Sequence, residues 1–369
     1  MAEVVVIPEP SFSQDIVDEA VDVLMSGKFL EYCHSVFSKA WLGDYHVLEA
    51  VLLATANSRI ENTFSALHIN VQGKTQVGKS GSVQMALKFL DTRDVMNSTM
   101  SKMYIFYGSQ NGEIRSGMTI LCDDTTLDKE IAALYRNVLT TWFEGTNRKT
   151  LDNQKTLSLV VPPRVTLIMT NVNGMVAETD DGQDESRFLV LEVTRTSEQN
   201  AAIRHFVQHK QVLPQHEMDV IHAVWTQIAR EGNYVELHRD FTDDMPQRDF
   251  ERFLSLIQSR ALLNGRDKTT EEDYTKTLEF LTYTKPMIDS TTPAYTRNEK
   301  AVRAFLQSQE FPATANEISK GCKMPIASVY MALRGRDGNW ETPKGGLMRT
   351  DPKLEVNIVD NVRTFKVRK

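Results

Sequence analysis

The sequence predicts an α/β fold in which a parallel sheet is covered by helices, followed by a helical segment and a small basic domain. Between residues 66 and 193, short apolar strands alternate with helical patterns, an order that favours parallel strands joined by helices. From 198 to 285 the apolar spacing is helical throughout. From residue 296 onward, 14 Lys and Arg stand against 8 Asp and Glu in a chain of net charge −7, so a basic appendage follows an acidic body.

Length and composition exclude several classes of protein. The 369 residues have room for a core domain plus one or two small ones. No apolar run approaches the roughly 18 residues of a membrane span. The first 15 residues lack the basic and apolar regions of a secretory signal, so we expect a cytoplasmic protein without membrane contact. Cys33, Cys122 and Cys322 lie far apart, which indicates neither disulfides nor structural zinc.

The predicted elements follow from local patterns. Residues 12–38 have helical apolar spacing that is interrupted at Gly27. The strand Ala66–Gln72 runs into a glycine-containing loop and then the helix Ser80–Leu90. The remaining predicted elements before the tail are a helix at Tyr45–Arg59, strands at Thr119–Cys122, Val165–Thr170 and Phe188–Val193, a helix at Leu127–Phe143, a hairpin at Lys149–Val161, and helices at 198–210, 215–230, 246–263 and 270–285.

The tail predicts a third small domain. The polar segment Asp289–Thr296 marks its boundary. Its predicted elements are helices at Lys300–Gln309, Ala315–Gly321 and Pro325–Leu333 and strands near Gly346–Thr350 and Leu354–Val367. We therefore expect four parts: an N-terminal helical segment (1–44), an α/β core (45–197), a helical lid (198–290) and a C-terminal domain (291–369).

The strongest motif is Gly73-Lys-Thr-Gln-Val-Gly-Lys-Ser80, a full match to the G-x-x-x-x-G-K-[ST] phosphate loop between a strand and a helix. Glycines let backbone N–H groups surround phosphates, Lys79 supplies a cation, and the Ser80 hydroxyl can ligate Mg²⁺. The motif predicts a nucleoside triphosphate site that uses ATP and Mg²⁺. Its candidate nucleotide contacts are Gly73, Lys74, Thr75, Gln76, Val77, Gly78, Lys79, Ser80 and Gly81.

Polar residues follow two of the later strands. Asp123 and Asp124 come directly after an apolar strand, where Asp123 would hold Mg²⁺ with Ser80 and Asp124 would polarise the attacking water. Glu is commoner at the second position because its longer side chain reaches the water more easily. Asn171 ends the next strand and is a candidate for positioning that water. A turn or a helix cap is the alternative for these residues.

Two arginines are placed where they can reach phosphates. Arg187 begins the strand Phe188–Val193, from which a cation can reach the nucleotide of a neighbouring subunit and neutralise transition-state charge. Arg248 lies near the start of a predicted helix with one apolar face and is a candidate γ-phosphate contact. A surface ion pair for Arg187 and a solvated helix position for Arg248 are the alternatives.

In this order the motifs resemble those of AAA+ ATPases, and more narrowly the motor module of minichromosome-maintenance helicases. Ser186-Arg187-Phe188 is similar to that family's S-R-F arginine-finger motif, and Arg248-x-Phe-Glu to its R-x-L-E lid helix carrying the second sensor. The segment 144–174 is also similar to superfamily 3 helicases of viruses and plasmids. The resemblance covers about residues 45–285 and implies an AAA+ P-loop NTPase core with a helical lid, plus the C-terminal winged helix that such proteins often carry. The family's large N-terminal DNA-binding domain has no counterpart here.

The resemblance implies DNA contacts in two places. In both helicase groups, a hairpin before the first sensor projects into the channel of a ring and grips single-stranded DNA, here at residues 148–155. In the tail, residues 328–336 would be the second helix of a helix-turn-helix, and 344–346 the wing tip, on duplex DNA. The candidate contacts are Arg148, Lys149 and Lys155 in the hairpin and Lys323, Arg334, Arg336 and Lys344 in the tail. A solvated turn and a winged helix used for protein contacts are the alternatives.

Taken together, these motifs predict an ATPase that acts as a DNA helicase or translocase in replication, as an oligomeric ring that is expected to be hexameric. In this hypothesis Arg187 of one subunit completes the site of the next, and the compact chain belongs to a plasmid, virus or other mobile element. The alternative is a DNA-binding initiator or assembly factor in which ATP switches the protein without processive unwinding. Asp124 in place of Glu favours this alternative slightly.

Overall fold

The computed structural model forms two compact units, which are described separately: the first has its described residues within 11–171 and 187–284, and the second within 297–367. Within them the structure describes residues 11–74, 77–96, 104–123, 129–152, 155–171, 187–209, 212–243, 245–284, 297–309, 311–335, 340, 346–350, 353–359 and 362–367.

Three helices precede the sheet: α1 (Gln14–Met25), α2 (Phe29–Ala40) and α3 (Tyr45–Asn57). Gly27 separates the first two with a φ of 68°, as the interruption of the apolar pattern predicted. Helix α3 is buried almost throughout from Val47 onward, since it packs against the sheet and against neighbouring helices. A helix that is apolar on all sides is expected to lie inside the fold.

The central sheet is parallel and five-stranded, in the order β2-β3-β6-β1-β7. This confirms the predicted α/β core. The strands are β1 (His68–Gln72), β2 (Val95–Met96), β3 (Thr119–Cys122), β6 (Thr166–Asn171) and β7 (Phe188–Glu192). Strands β1, β3 and β6 are buried along their whole length, as expected for a sheet covered on both faces. Helices α4 (Lys79–Leu87), α5 (Tyr104–Gln110) and α6 (Lys129–Thr140) lie between these strands in the sequence.

A long two-stranded hairpin precedes β6. Its strands are β4 (Thr146–Asp152) and β5 (Lys155–Val161), which pair in antiparallel register from Thr146 with Val161 to Asp152 with Lys155. The hairpin forms its own two-stranded sheet and does not extend the parallel one. The predicted hairpin is therefore present, and it begins three residues earlier than the sequence indicated.

Four helices follow the sheet: α7 (Ser197–His209), α8 (Gln215–Gln227), α9 (Gln247–Leu263) and α10 (Glu271–Leu281). Thr270 and Asp273 form a reciprocal capping box at the start of α10. Side chains from α1 to α4, the sheet, α8 and α9 share one continuous hydrophobic core. The division of this unit into segments 1–44, 45–197 and 198–290 stays a prediction.

The second unit contains α11 (Arg297–Ser308), β8 (Ala313–Thr314), α12 (Ala315–Gly321), α13 (Ile326–Arg334), α14 (Leu347–Thr350), β9 (Leu354–Val359) and β10 (Val362–Val367). Its antiparallel sheet has the order β8-β10-β9 around a core of its own. The strand predicted near Gly346–Thr350 is wrong, because Leu347 is fully buried and starts the short helix α14. Strands β9 and β10 pair in antiparallel register, from Leu354 with Val367 to Val359 with Val362. Lys344 and Gly345 of the predicted wing tip lie outside the described residues, so the wing tip stays a prediction.

Candidate nucleotide site

The phosphate loop follows β1 at the carboxyl edge of the sheet. A side chain at Gly73 would collide with the carbonyl oxygen of Val193, whose N–H donates to the carbonyl of Gln72 at 2.8 Å. Gly78 has a φ of 93° and directly precedes α4. Both glycines are thus required, one by a close approach of backbone and one by a left-handed conformation. Thr75 and Gln76 lie outside the described residues.

Lys79 and Ser80 begin α4 directly after this loop. Lys79 is buried, and its Nζ donates to the carbonyl of Lys74 at 3.4 Å, which places the ammonium group against the loop backbone. Ser80 is partly exposed in the first turn of the helix. A helix N-terminus with a lysine and a hydroxyl in its first turn is suited to a polyphosphate and its metal ion.

Asp123 and Asn171 lie at the same edge of the sheet because of the strand order. Strand β6 lies between β1 and β3, and the register pairs Gln72 with Asn171 and Cys122 with Met169. The hydroxyl of Thr170 donates to Asp123 Oδ1, and Gln84 Nε2 of α4 lies 3.5 Å from Oδ2. The structure therefore brings Asp123 and Asn171 next to the phosphate loop, whereas Asp124 lies outside the described residues.

Arg187 and Arg248 lie together at the opposite edge. Arg187 precedes β7, which spans about 16 Å at the usual rise of a parallel strand, whereas the phosphate loop lies beyond the other end of that sheet. Both arginines line a cavity of about 190 Å³, in which Arg187 Nη1 donates to Thr140 Oγ1 at 2.8 Å. The sequence predicts that Arg248 contacts the γ-phosphate, but the structure does not place this residue beside the phosphate loop of its own chain.

A third arginine in this cavity was missed by sequence reasoning. Arg252 is only 4% exposed and lies one helical turn after Arg248 on α9. Burial lowers the pKa of Arg252 to about 10; nearby Arg248 and Arg187 add to this effect, and Asp249 opposes it. The spacing Arg248-x-x-x-Arg252 was the available signal, since residues four apart share one face of a helix.

Sequence reasoning also missed three residues beside the phosphate loop. The ring of Trp41 covers the loop helix so closely that a side chain at Gly81 would come within 2.7 Å of it. The indole N–H donates to Asp44 Oδ2 at 3.1 Å, and Asp44 also binds the guanidinium of Arg195, which follows β7. No motif joins Trp41 and Asp44 to Arg195, because they lie about 150 residues apart in the chain.

Next to this cluster opens a cavity of about 790 Å³, lined by residues of α2, α3, α9 and α10 and by Asp44 and Arg195. His46 and Tyr283 stack at its wall, with ring centroids 5.3 Å apart and planes inclined by 11°. Burial lowers the pKa of His46, which favours the neutral ring. The volume and the aromatic wall are typical of a small-molecule site.

The candidate DNA contacts are only partly described. Arg148 and Lys149 lie on β4 opposite Leu159 and Ser158, and Lys155 begins β5. In the second unit Lys323 is exposed, and the guanidinium of Arg334 lies 5.5 Å from the ring centroid of Trp340. Arg336 and Lys344 lie outside the described residues.

Among the described helices, none has the length and apolar composition needed to cross a membrane.

Comparison with known proteins gives one family. No curated protein sequence matches the chain. The family model described as the MTBMA_p00010 P-loop domain matches residues 14–231, which is more than half of the chain and includes the phosphate loop, Asp123, Asn171 and Arg187. The match agrees with the parallel sheet, with the glycines that shape the loop between β1 and α4, and with a site for nucleotide. The chain belongs to the MTBMA_p00010 P-loop domain family.

Proposed function

We propose that this protein is an ATP-dependent DNA helicase or translocase with an AAA+ motor of the minichromosome-maintenance type, working as a hexameric ring in replication of a mobile element. The observation that carries the proposal is the separation of Arg187 and Arg248 from the phosphate loop of the same chain. Because the phosphate loop and the two arginines lie at opposite edges of the sheet, the nucleotide site of one chain is completed by the arginines of a second copy. Such head-to-tail contacts close into rings.

Each residue at the carboxyl edge has a role in this proposal. Lys79 binds the terminal phosphates, and Asn171 orients the attacking water. Ser80 and Asp123 hold Mg²⁺, which neutralises charge on the phosphates when bound. Thr170 supports the ion site by fixing one oxygen of Asp123. The cavity beside Asp44 and Arg195 takes the nucleoside end of ATP, because Arg195 connects it to Gly78 of the loop and it is large enough for a base and ribose.

The arginine cavity supplies the charge that the next subunit needs. Arg187 and Arg248 face one cavity, and the buried Arg252 lies behind them as a third cation. An arginine supplied by a neighbour stabilises charge on the transferring phosphoryl group and typically raises turnover about 10³-fold or more. Hydrolysis is thereby tied to assembly, since an isolated chain lacks this charge at its own site.

DNA binding is proposed for the hairpin and for the second unit. The β4–β5 hairpin is seven residue pairs long and lies outside the parallel sheet, as a channel loop should. Helices α12 and α13 followed by the β9–β10 hairpin have the element order of a winged helix. Alanine at both Lys149 and Lys155 should leave ATP hydrolysis intact and abolish strand separation; unaltered unwinding would remove the hairpin from the motor.

The experiment that tests the function is ATP hydrolysis with and without single-stranded DNA at several protein concentrations. We expect hydrolysis that DNA stimulates and that rises more steeply than linearly with concentration, because each site needs two chains. Lys79→Ala is the matched inactive control. Turnover that is proportional to concentration and indifferent to DNA would contradict a ring-shaped motor.

An ATP-switched initiator is the second candidate function. The observation that favours it is that Ala327 and Met331 on helix α13 are exposed and apolar. Apolar side chains are better suited to contact base edges in a DNA groove than to bind backbone phosphates. Tight ATP binding with negligible, DNA-independent turnover would support this function over the motor.

A further inference from the structure

Arg195 is a buried cation beside the phosphate loop of its own chain. Its side chain is only 9% exposed, and its Nη2 lies 3.9 Å from the position that a side chain at Gly78 would occupy. Arg187 and Arg248, in contrast, lie at the far edge of the sheet. The position of Arg195 follows from the pairing of β7 with β1, because both strands deliver their carboxyl ends to the loop.

The guanidinium of Arg195 is held in place and still has hydrogen-bonding capacity. Nη1 donates to Asp44 Oδ1 at 2.8 Å and to the carbonyl of Thr194 at 3.4 Å, and Nη2 donates to Asp44 Oδ2. A guanidinium carries five N–H groups. Within the described parts of the chain, the remaining two, on Nε and Nη2, have no acceptor.

From this geometry we infer that Arg195 binds the α-phosphate of the nucleotide in cis, with Asp44 as its positioning residue. The inference rests on the nucleotide site proposed above. Lys79 and Ser80 serve the terminal phosphates and the metal ion, whereas Arg195 lies beside Gly78 of the loop and also lines the large cavity. A polyphosphate that runs from Lys79 toward this cavity passes the guanidinium at its nucleoside end.

The Asp44 carboxylate orients Arg195 beside the phosphate loop. It is almost fully buried and receives donors from both Arg195 and the indole of Trp41, so it fixes the guanidinium against the loop. A carboxylate beside a phosphate also repels it. Asp44 therefore orients the arginine but also repels the phosphate, so we expect neutral substitutions of Asp44 and of Arg195 to differ in the size of their effect on nucleotide affinity.

The test is equilibrium binding of ATP and of ADP to the full chain, measured by calorimetry without DNA. We compare the wild type with Arg195→Gln, with Asp44→Asn, and with Arg204→Gln as the matched control. Arg204 is an exposed arginine on α7, so its substitution changes the charge equally without touching the loop. Thermal melting of each variant reports whether the fold is retained.

We expect Arg195→Gln to weaken ATP and ADP by the same factor of about ten or more, as for loss of a charged hydrogen bond. Asp44→Asn loses the carboxylate that holds the guanidinium but keeps the arginine, so it should weaken both nucleotides by a smaller factor than Arg195→Gln does, and Arg204→Gln should match the wild type. If Arg195 only braced the loop through Asp44, Asp44→Asn would weaken both nucleotides as much as Arg195→Gln does, and that result would overturn the inference.

Three further outcomes also count against it. A loss confined to ATP would place Arg195 at the γ-phosphate instead. Unaltered affinity in Arg195→Gln, with normal binding by the wild type and none by Lys79→Ala, would overturn the role of Arg195 and leave the proposed function standing. Absence of nucleotide binding by the wild type would overturn both.

Discussion

If the nucleotide site is completed by a neighbour, two inactive variants should restore each other. Lys79→Ala removes the cation of the phosphate loop, and Arg187→Ala removes the cation at the opposite edge of the sheet. Since β7 alone separates these edges by about 16 Å, neither residue can replace the other within one chain. Each variant alone should hydrolyse ATP about 10³-fold more slowly than the wild type.

The magnitude of the recovery follows from the arrangement of the sites. In an equal, random mixture, about a quarter of the interfaces pair an intact Lys79 with an intact Arg187, so turnover should return to roughly a quarter of the wild-type value. The assay is steady-state ATP hydrolysis across mixing ratios, with Arg204→Ala as a surface control. No recovery at any ratio, in mixtures that demonstrably co-assemble, would refute the shared site.

Three other predictions follow from single contacts. Gly81→Ala should destabilise the fold and weaken ATP binding in melting and calorimetric titration, because the added methyl group comes within 2.7 Å of the Trp41 ring; full stability would show that the ring moves freely. Thr170→Val should raise the Mg²⁺ concentration needed for hydrolysis by about tenfold, whereas Thr170→Ser, which keeps the donor to Asp123, should not; equal effects would assign Thr170 to packing alone. Burial lowers the pKa of His68 to about 3, so the unfolded chain binds a proton that the folded chain excludes. Stability in urea unfolding should therefore fall as the pH drops below about 6.5, by about 2 to 3 kcal/mol at pH 4.5, and His68→Asn should remove this contribution.

The features that local sequence determines were predictable. The strand β1, the phosphate loop and α4 appear where an apolar run, two glycines and a helical pattern indicated them. Asp123 and Asn171 were placed correctly at strand ends, because parallel strands deliver their carboxyl ends to one edge. Their roles in catalysis remain predictions, since the family shows only that the chain has a P-loop domain.

The features that depend on distant parts of the chain were not predictable. The insertion of β6 between β1 and β3 depends on pairing between residues about 50 and 100 positions apart. Arg187 lies beside Arg248, and Asp44 contacts Arg195, because the fold also brings these distant parts of the chain together. The strand predicted near Gly346–Thr350 was wrong for a different reason, because Leu347 is fully buried and starts the short helix α14.

The place of β1 in the sheet also determines when the phosphate loop can form during synthesis. Strand β1 has two partners, β6 and β7, which begin 98 and 120 residues after it. A ribosome that has finished the loop at Ser80 must therefore advance 86 residues further to reach Thr166, where the nearer neighbour, β6, begins. Contacts of such long range slow folding and leave apolar strands uncovered meanwhile. The loop that would hold the nucleotide thus gains its support only after β6 and β7 have been made, and a nucleotide that binds it would stabilise the folded state after that pairing rather than before it.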